Sequence, residues 1–246
     1  MIEVSNVSKY FQGRKVLDNI NTEFVPGKCN LIIGKSGSGK TVLLRSIAGL
    51  YQPEEGFISY DGRVFANMTR EQKIALRKDI GFIFQEGALF DSMNVEENIM
   101  FPLRMFTKMR RRERIDRVNY CLERVNLKGI NKMFPSQLSG GMRKRVAIAR
   151  AISAQPKYLF CDEPNSGLDP VTSIVIDKLI MDITHEFNMT TIINTHDMNS
   201  VMEIGENIIY INEGKLWWKG DKENVLTTDN NELNDFIFCS ALTKKI

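Results

Sequence analysis

A glycine-rich segment carries the clearest chemistry in this sequence. Residues 34–41, GKSGSGKT, fit the pattern G-x-x-x-x-G-K-[ST] at every fixed position, after an apolar run and before residues with helical spacing. Such a loop wraps its backbone N–H groups around a phosphate chain, while Lys40 reaches the β- and γ-phosphates and Thr41 ligates Mg²⁺. The segment predicts a nucleoside triphosphate site formed by Gly34, Lys35, Ser36, Gly37, Ser38, Gly39, Lys40, Thr41 and Val42.

An acidic pair at the end of another apolar run offers a second anchor for the metal. The segment YLFCDE ends in Asp162 and Glu163. Asp162 would hold Mg²⁺ directly or through water, and Glu163 would act as general base toward a water beside the γ-phosphate. Acidic pairs after strands also cap helices, so the pair by itself leaves both interpretations open. The phosphate loop favours the metal site.

A second glycine pair raises a different question. In LSGGMRKRVAIARA, residues 138–151, Ser139 stands where a helix N-cap would, and Gly140 and Gly141 expose backbone N–H groups. A helix N-terminus of this kind is an anion site. An ordinary N-cap is the alternative interpretation. The chain already has one complete phosphate loop, so a second anion site needs another explanation.

Several short motifs together resemble one known family, the ATP-binding-cassette (ABC) ATPases. They are the phosphate loop, YLFCDEP, LSGGMRKR, SGLDP at 166–170 and THD at 195–197, and their order and spacing match along nearly the whole chain. The resemblance implies that two cassettes pair head to tail, with each ATP held between one phosphate loop and the partner's signature helix. The chain would then work as a homodimer or beside a second cassette. Ser139, Gly140 and Gly141 would then bind the γ-phosphate in trans.

The resemblance also implies roles for single residues elsewhere in the chain. Gln85, at the end of IGFIFQ, matches the glutamine that contacts Mg²⁺ and the attacking water, and His196 matches the switch histidine at the γ-phosphate. Asp169 matches the aspartate that links the two active sites. Phe11 matches the aromatic residue that stacks on adenine, with Tyr10 as the competing candidate.

Within this family, the chain looks most like the ATPase subunits of Mla/MCE-type transporters. The segments that carry this resemblance are EGALFDSMNVEENIMFPL after Gln85, DEPNSGLDPVT and KTVLL. Met142 and Asn165 depart from the residues common in the wider family, Gln and Thr, and Met142 matches the Mla/MCE type. The resemblance implies phospholipid movement between inner and outer membranes. It also implies an integral membrane permease, an MCE-domain protein, and a position on the cytoplasmic face of the inner membrane.

The apolar residues Ala88, Leu89, Phe90 and Met93 suit a groove for the permease's coupling helix, although core packing of a helical subdomain explains them equally. Three rival functions stay open. One is a cassette for amino acids, metals or drugs. The others are a non-transport cassette in DNA repair or translation, and a P-loop kinase, which the signature helix and His196 oppose.

Composition excludes some classes of function. The net charge of +3 is too small to favour a nucleic-acid partner. Cys29, Cys121, Cys161 and Cys239 form no CxxC pair, which argues against zinc and structural disulfides. The segment MIEVSNVSKY alternates like a strand and lacks the pattern of a signal peptide, and no apolar run is long enough to span a membrane.

The strands and helices that must position these residues indicate an α/β fold. We predict an N-terminal antiparallel hairpin leading into a central strand, then a helix over about residues 40–50. Buried strands follow at IGFIFQ, KYLFCDEP and TTIINTHD, with helices between them, and a hairpin turns at Glu213-Gly214. This alternation predicts an α/β core with a mainly parallel sheet, interrupted by an inserted helical subdomain. The resemblance to the ABC ATPases implies that this core is a P-loop NTPase fold of the ABC type, with a RecA-like mixed sheet.

The chain is expected to form one ABC ATPase domain in several parts. Residues 1–85 and 156–230 would form the ATP-binding core, residues 86–155 an almost wholly helical subdomain, and residues 231–246 a helical tail. Leu233, Phe236, Ile237 and Ala241 lie on one stripe of the tail, which covers its own core or clasps a partner. The basic run Lys108–Arg117 faces either anionic headgroups or solvent, with Glu113 and Asp116 as internal ion-pair partners in the second case.

Overall fold

The computed structural model describes residues 1–240, with side chains to residue 237, and contains two β-sheets flanked by helices. The strands are β1 (Ile2–Phe11), β2 (Arg14–Phe24), β3 (Cys29–Ile33), β4 (Glu55–Tyr60), β5 (Arg63–Val64), β6 (Ile80–Ile83), β7 (Tyr158–Asp162), β8 (Thr190–Thr195), β9 (Asn207–Asn212) and β10 (Lys215–Gly220). The helices are α1 (Lys40–Ile47), α2 (Arg70–Lys78), α3 (Val95–Phe106), α4 (Arg111–Arg124), α5 (Gly140–Ile152), α6 (Pro170–Glu186), α7 (Met198–Ile204) and α8 (Asn231–Ser240).

The six-stranded sheet positions the site. Its strand order is β10-β9-β3-β8-β7-β6, and all neighbours are parallel except β10, which pairs antiparallel with β9. Every residue of β3, β7 and β8 is buried, as expected for parallel strands covered on both faces. Because these strands are parallel, the carboxyl ends of β3, β8, β7 and β6 lie side by side at one edge.

The smaller sheet is antiparallel, with strand order β2-β1-β4-β5. The predicted N-terminal hairpin is confirmed as β1 and β2, and Asp61-Gly62 turns the chain from β4 to β5. A buried apolar cluster joins this sheet to α1 and includes Ile32 of β3, whereas Leu31 and Ile33 belong to a second cluster with the helices. The alternating side chains of β3 therefore link the two cores. The predicted α/β fold class, with an antiparallel β region and a mainly parallel sheet, is confirmed.

The segment predicted to be almost wholly helical is less regular than expected. It contains α3, α4 and α5, but residues 84–94 and 125–139 are mostly turns and loops. Gly87 and Ala88 have φ of +79° and +46°, values that an α-helix does not use. Asn94 then begins α3 with a capping box, accepting from Glu97 N while Glu97 accepts from Asn94 N.

The tail helix α8 packs against the chain's own core. Leu233, Phe236 and Ile237 are buried in the cluster formed with the helices, and the rings of Tyr210 and Phe236 lie 5.6 Å apart. The Tyr210 hydroxyl also donates to the carbonyl of Glu232 at 3.2 Å. Ala241, the last member of the predicted stripe, lies outside the described residues. Of the two roles foreseen for this stripe, covering its own core is the one observed.

Candidate active site

The predicted chemical residues meet at one edge of the six-stranded sheet. Gly34 follows β3, His196 follows β8, and Gln85 comes two residues after β6, while Asp162 is the last residue of β7. Because these strands are neighbours and parallel, their carboxyl ends deliver the side chains to a common crevice. The sheet therefore assembles residues that are far apart in the sequence.

The phosphate loop needs glycine for steric reasons. Gly34 has φ of +149°, and a Cβ there would lie 2.2 Å from the Ile211 carbonyl oxygen. Gly39 has φ of +108° and begins α1 in the left-handed region, so no side chain fits without strain. The buried Ser38 Oγ has no hydrogen-bond partner among the described residues. The Ser38 N–H donates to the Lys35 carbonyl at 3.2 Å, while the N–H groups of Gly37 and Gly39 have no backbone partner among the described contacts. An unpaired buried hydroxyl beside such amides suits a bound anion.

The loop lysine is preorganised across the loop. Lys40 Nζ donates to the carbonyl of Lys35 at 3.0 Å, and its side chain is buried. Burial lowers the pKa of Lys40, and the nearby carboxylates of Glu163 and Asp162 oppose that shift. An adjoining cleft of about 720 Å³ is lined by Lys35, Ser36, Gly37 and Ser38, and also by Arg14 and Lys15. These last two cations were not singled out from the sequence.

Asp162 is held by three neighbours at the foot of the site. Thr41 Oγ1 donates to Asp162 Oδ1 at 3.1 Å, Asn194 Nδ2 donates to the same oxygen at 2.7 Å, and Arg45 Nη2 lies 3.0 Å from Oδ2. Asn194 also donates to Thr41 Oγ1 at 3.1 Å. Sequence reasoning missed Asn194 and Arg45. An asparagine inside the buried strand TTIINT must find partners, and Arg45 is four residues after Thr41 on one helix face.

Glu163 lies between two polar side chains that the sequence predicted. His196 Nδ1 is 3.2 Å from Glu163 Oε1, and Gln85 Nε2 donates to Glu163 Oε2 at 3.3 Å. The backbone of Glu163 has φ of +46°, a left-handed value that is uncommon outside glycine. Its N–H donates to Asn194 Oδ1 at 2.7 Å, which holds this conformation. The carboxylate is therefore oriented from both sides.

Two cations of α5 grip the loop that carries Gln85. Lys144 Nζ donates to the Gln85 carbonyl, and the Arg150 guanidinium donates to the carbonyls of Gly87 and Ala88, each at 2.7 Å. Burial lowers the pKa of both Lys144 and Arg150, although each stays paired with carbonyl oxygens. The helix that begins at the glycine pair is thus tied directly to the Gln85 loop.

Five predicted site residues lie apart from this cluster within the described chain. Ser139 Oγ caps its own helix by accepting from Met142 N at 3.3 Å. Gly140 borders a cleft that Gln85 also lines, separate from the cleft of the phosphate loop. Gly141 follows as the second residue of α5. Asp169 caps α6 by accepting from Thr172 N, and the hydrogen bond from the Thr172 hydroxyl, followed by that from Thr172 N, lowers the pKa of its carboxyl. Phe11 packs edge-on against Tyr51, with ring centroids 5.4 Å apart.

The residues present fit ATP and Mg²⁺. The amides of Gly37 and Gly39, Ser38 Oγ and Lys40 match a phosphate chain. The Thr41 hydroxyl and the Asp162 carboxylate are hard oxygen ligands that lie 3.1 Å apart. Gln85 adds an amide oxygen at the same edge. Mg²⁺ usually takes one or two protein oxygens, with phosphates and water completing its shell.

In the described part of the chain, no helix is long and apolar enough to cross a membrane.

Comparison with known proteins agrees with this geometry. The family model described as ABC transporter matches residues 17–166. The chain is 38% identical over 236 residues to the probable ribonucleotide transport ATP-binding protein mkl of Mycobacterium leprae, covering 96% of this chain and 68% of that one. It is 35% identical over 237 residues to the intermembrane phospholipid transport system ATP-binding protein MlaF of Haemophilus influenzae, covering 96% and 90%.

Other matches include a different transporter and a solved structure. The methionine import ATP-binding protein MetN of Campylobacter jejuni is 36% identical over 253 residues, covering 96% of this chain and 75% of that one. The dimeric structure of the ATP-binding cassette MJ0796 bound to ADP and Pi superposes with a TM-score of 0.82 at 33% identity, covering 90% of this chain and 99% of that one. The fold, the assembled site and these relatives agree, and the chain belongs to the ABC transporter family as an ATP-hydrolysing subunit.

Proposed function

We propose that this chain powers a transporter that moves phospholipids between two membranes, working on the cytoplasmic side of the inner membrane. The proposal of phospholipid as the cargo rests on the similarity to MlaF, which this chain matches over 90% of that protein's length. The match to MetN reaches 75% of that protein's length, so the overall architecture agrees better with MlaF. The mycobacterial relatives are named for a different cargo, and the chain spans about two thirds of their length.

The proposed engine is a homodimer with ATP between the two copies. Ser139, Gly140 and Gly141 make no hydrogen bond to the phosphate loop of their own chain among the described contacts. Their free amides at the start of α5 would bind the γ-phosphate held by the partner, aided by the positive end of the helix dipole. Asp169, the N-cap of α6, would lie at the same junction.

Hydrolysis is assigned to Glu163 as general base. Its carboxylate would accept the proton of a water aligned with the γ-phosphate, while His196 and Gln85 hold the carboxylate and the water in place. Lys40 and the loop amides would stabilise negative charge on the phosphates. Mg²⁺, held by Thr41, Asp162 and Gln85, would neutralise phosphate charge when bound. Phe11 would stack on adenine.

The permease would dock on the segment that follows Gln85. Phe90 is 40% exposed there, and its ring lies 4.9 Å from that of Phe101 on α3. Lys144 and Arg150 hold this segment against α5. A displacement of the segment by the permease would therefore also move α5, the helix that would bind the partner's nucleotide. ATP binding closes the dimer and hydrolysis releases it, so each cycle would switch the permease.

The test is isolation of the chain from solubilised membranes followed by a lipid-transfer assay. Co-purification of a permease with an MCE-domain protein, and ATP-dependent transfer of labelled phospholipid between vesicles, is the expected result. The principal alternative is a cassette for another cargo, as the MetN relationship suggests. Co-purification with a permease and a solute-binding protein, without lipid transfer, would favour that alternative.

A further inference from the structure

The net positive charge of this chain comes from one short surface segment. Between Arg104 and Arg117 there are seven Lys or Arg residues and two acidic residues, a net charge of +5. The whole chain carries +3, so everything outside this segment sums to −2. The segment includes the end of α3, the connecting loop and the beginning of α4. A protein that is close to neutral elsewhere thus presents one strongly cationic region.

Most of these charges point to solvent. Within this segment, five basic residues are exposed and form no ion pair with the described residues. They are Arg104, Lys108, Arg110, Arg111 and Arg112, which we call the α3–α4 patch. Arg117 instead donates to the carbonyls of Ser153 and Ile152. Glu113 accepts from the backbone N–H of Arg110, and neither Glu113 nor Asp116 forms an ion pair among the described residues. The internal ion pairs foreseen from the sequence are therefore absent there.

Local helix stability does not explain these cations. Arg110 is the N-cap of α4, and Arg111 and Arg112 begin its first turn, where the helix dipole repels positive charge. Helix α3 has the arrangement that the dipole favours, with Glu96 and Glu97 in its first turn, whereas the first turn of α4 has Glu113 as its one acidic residue. A local rule broken at an exposed site points to a function for the charges rather than to folding.

Apolar side chains accompany the charges. Met105 is 61% exposed and Phe106 is 38% exposed, directly between Arg104 and Lys108. Thr107 Oγ1 donates to the Leu103 carbonyl at 2.6 Å, and Met109 packs on the core, so the loop is anchored while these tips face outward. Basic residues surrounding exposed apolar tips match an anionic lipid interface, which offers phosphate groups next to hydrocarbon.

The position of the patch agrees with this partner. The helix α3 that ends in the patch also contacts Phe90 through Phe101, so it extends from the segment that would dock on the permease. We propose that the α3–α4 patch binds the anionic phospholipid headgroups of the membrane that holds the permease. Only the placement near a membrane rests on the proposed function, because the charge and apolar exposure are properties of the isolated chain.

The test uses the purified full chain and vesicles of neutral phosphatidylcholine, with or without about one third phosphatidylglycerol. We expect binding to the anionic vesicles only, reduced by high salt because exposed charges are screened. The triple variant Arg110→Gln, Arg111→Gln, Arg112→Gln should weaken binding at least roughly tenfold, since each cation near an anionic surface contributes about 1 kcal/mol. Its thermal stability should stay equal or rise, because the repulsion with the dipole is removed.

The matched control removes three exposed unpaired cations from another surface. Arg70, Arg77 and Lys78 lie on α2, and their triple Gln variant should bind anionic vesicles like the wild type. Met105→Ser with Phe106→Ser should reduce binding even at low salt if the apolar tips enter the interface. Equal binding to neutral and anionic vesicles, or equal loss in both triple variants, would overturn the proposal.

A protein partner gives a separate pattern. Normal vesicle binding in the patch variant, together with lost co-purification of the permease, would assign the patch to an acidic protein surface and overturn the lipid assignment. ATPase activity and ATP-driven dimer formation are measured in the same samples. The proposed function can therefore fail with vesicle binding intact, and vesicle binding can fail with the ATPase cycle intact.

Discussion

The ammonium group of Lys144, on α5, donates a hydrogen bond to the backbone carbonyl of Gln85. The two residues come from different parts of the proposed machine, because α5 begins at Gly140 and Gln85 touches Glu163. Lys144 is almost fully buried, with 7% of its surface exposed, so little water competes for this contact. This hydrogen bond joins α5, the helix that would bind the nucleotide held by the partner, to the Gln85 loop, which would orient Glu163 at the nucleotide held by the chain itself.

Replacing Lys144 with Met should slow hydrolysis without weakening ATP binding. The change frees the Gln85 carbonyl, and a small displacement of the Gln85 amide from Glu163 costs rate through lost orientation. We expect kcat to fall roughly tenfold, with KM for ATP within about twofold, in steady-state assays. Lys144→Arg keeps a donor and should recover much of the rate. Equal kcat in Lys144→Met and wild type would show that this contact does not position Gln85.

Removing the carboxylate of Glu163 should abolish most turnover. The Glu163→Gln variant keeps the size of the side chain and can still contact Gln85 and His196, but it no longer accepts a proton. We expect phosphate release to fall by roughly 10²–10⁴-fold. Glu86→Gln, which neutralises the exposed acidic residue beside Gln85, is the control and should retain activity. A Glu163→Gln protein that hydrolyses ATP at a near-normal rate would remove Glu163 from the role of base.

Asp177 should make stability depend on pH. This carboxyl is 2% exposed on α6 and accepts from Asn165 Nδ2 at 2.7 Å. Burial raises its pKa to about 6, repulsion from Asp197 and Glu203 adds to the shift, and hydrogen bonds from Ser200 and Asn165 oppose it. The folded state therefore binds a proton more tightly than the unfolded state, so stability falls as the pH rises from about 4 through 6.

The test compares Asp177→Asn with wild type in urea unfolding. The variant should be more stable at pH 8 by at most roughly 3 kcal/mol, which is the two-unit shift in free-energy terms. The difference should shrink below pH 4 and disappear toward pH 3, where the carboxyl is mostly protonated in both states of the wild type. Asp182→Asn, on the exposed side of the same helix, should change little at either pH. A stability difference that does not vary with pH would contradict this account of Asp177.

Truncation after Asn230 should destabilise each copy of the chain. Leu233, Phe236 and Ile237 are buried against the same core as Tyr210, so their removal exposes apolar surface within one molecule. The single change Phe236→Ala should lower the free energy of unfolding by roughly 3–5 kcal/mol. Urea unfolding and size-exclusion chromatography measure both effects. A truncated chain that keeps full stability but no longer dimerises would instead assign the tail to the partner.

Much of the fold and site was accessible from sequence, and the gaps have physical causes. Short sequence motifs were enough to predict the phosphate loop, Asp162, Glu163 and His196. Each of these motifs combines an apolar strand, the turn after it and the reactive side chains in a few consecutive residues. Asn194, Arg45 and Lys144 were missed because their roles depend on neighbours brought by other strands and helices. Helix α2 was missed because its sequence, REQKIALRK, is short and mostly charged or polar, with Leu76 as its single buried residue.

The central claim is that ATP joins two copies through the start of α5. Its most direct test is the mass of the Glu163→Gln chain in solution with ATP and Mg²⁺, with and without Gly140→Glu. A Cβ at Gly140 would meet Leu168 at 3.7 Å, an ordinary contact, so the monomer should accept the side chain. The account predicts a dimer for Glu163→Gln, and a monomer that still binds ATP when Gly140→Glu is added. A Glu163→Gln chain that stays monomeric with ATP, or a dimer that persists with Gly140→Glu, would contradict it.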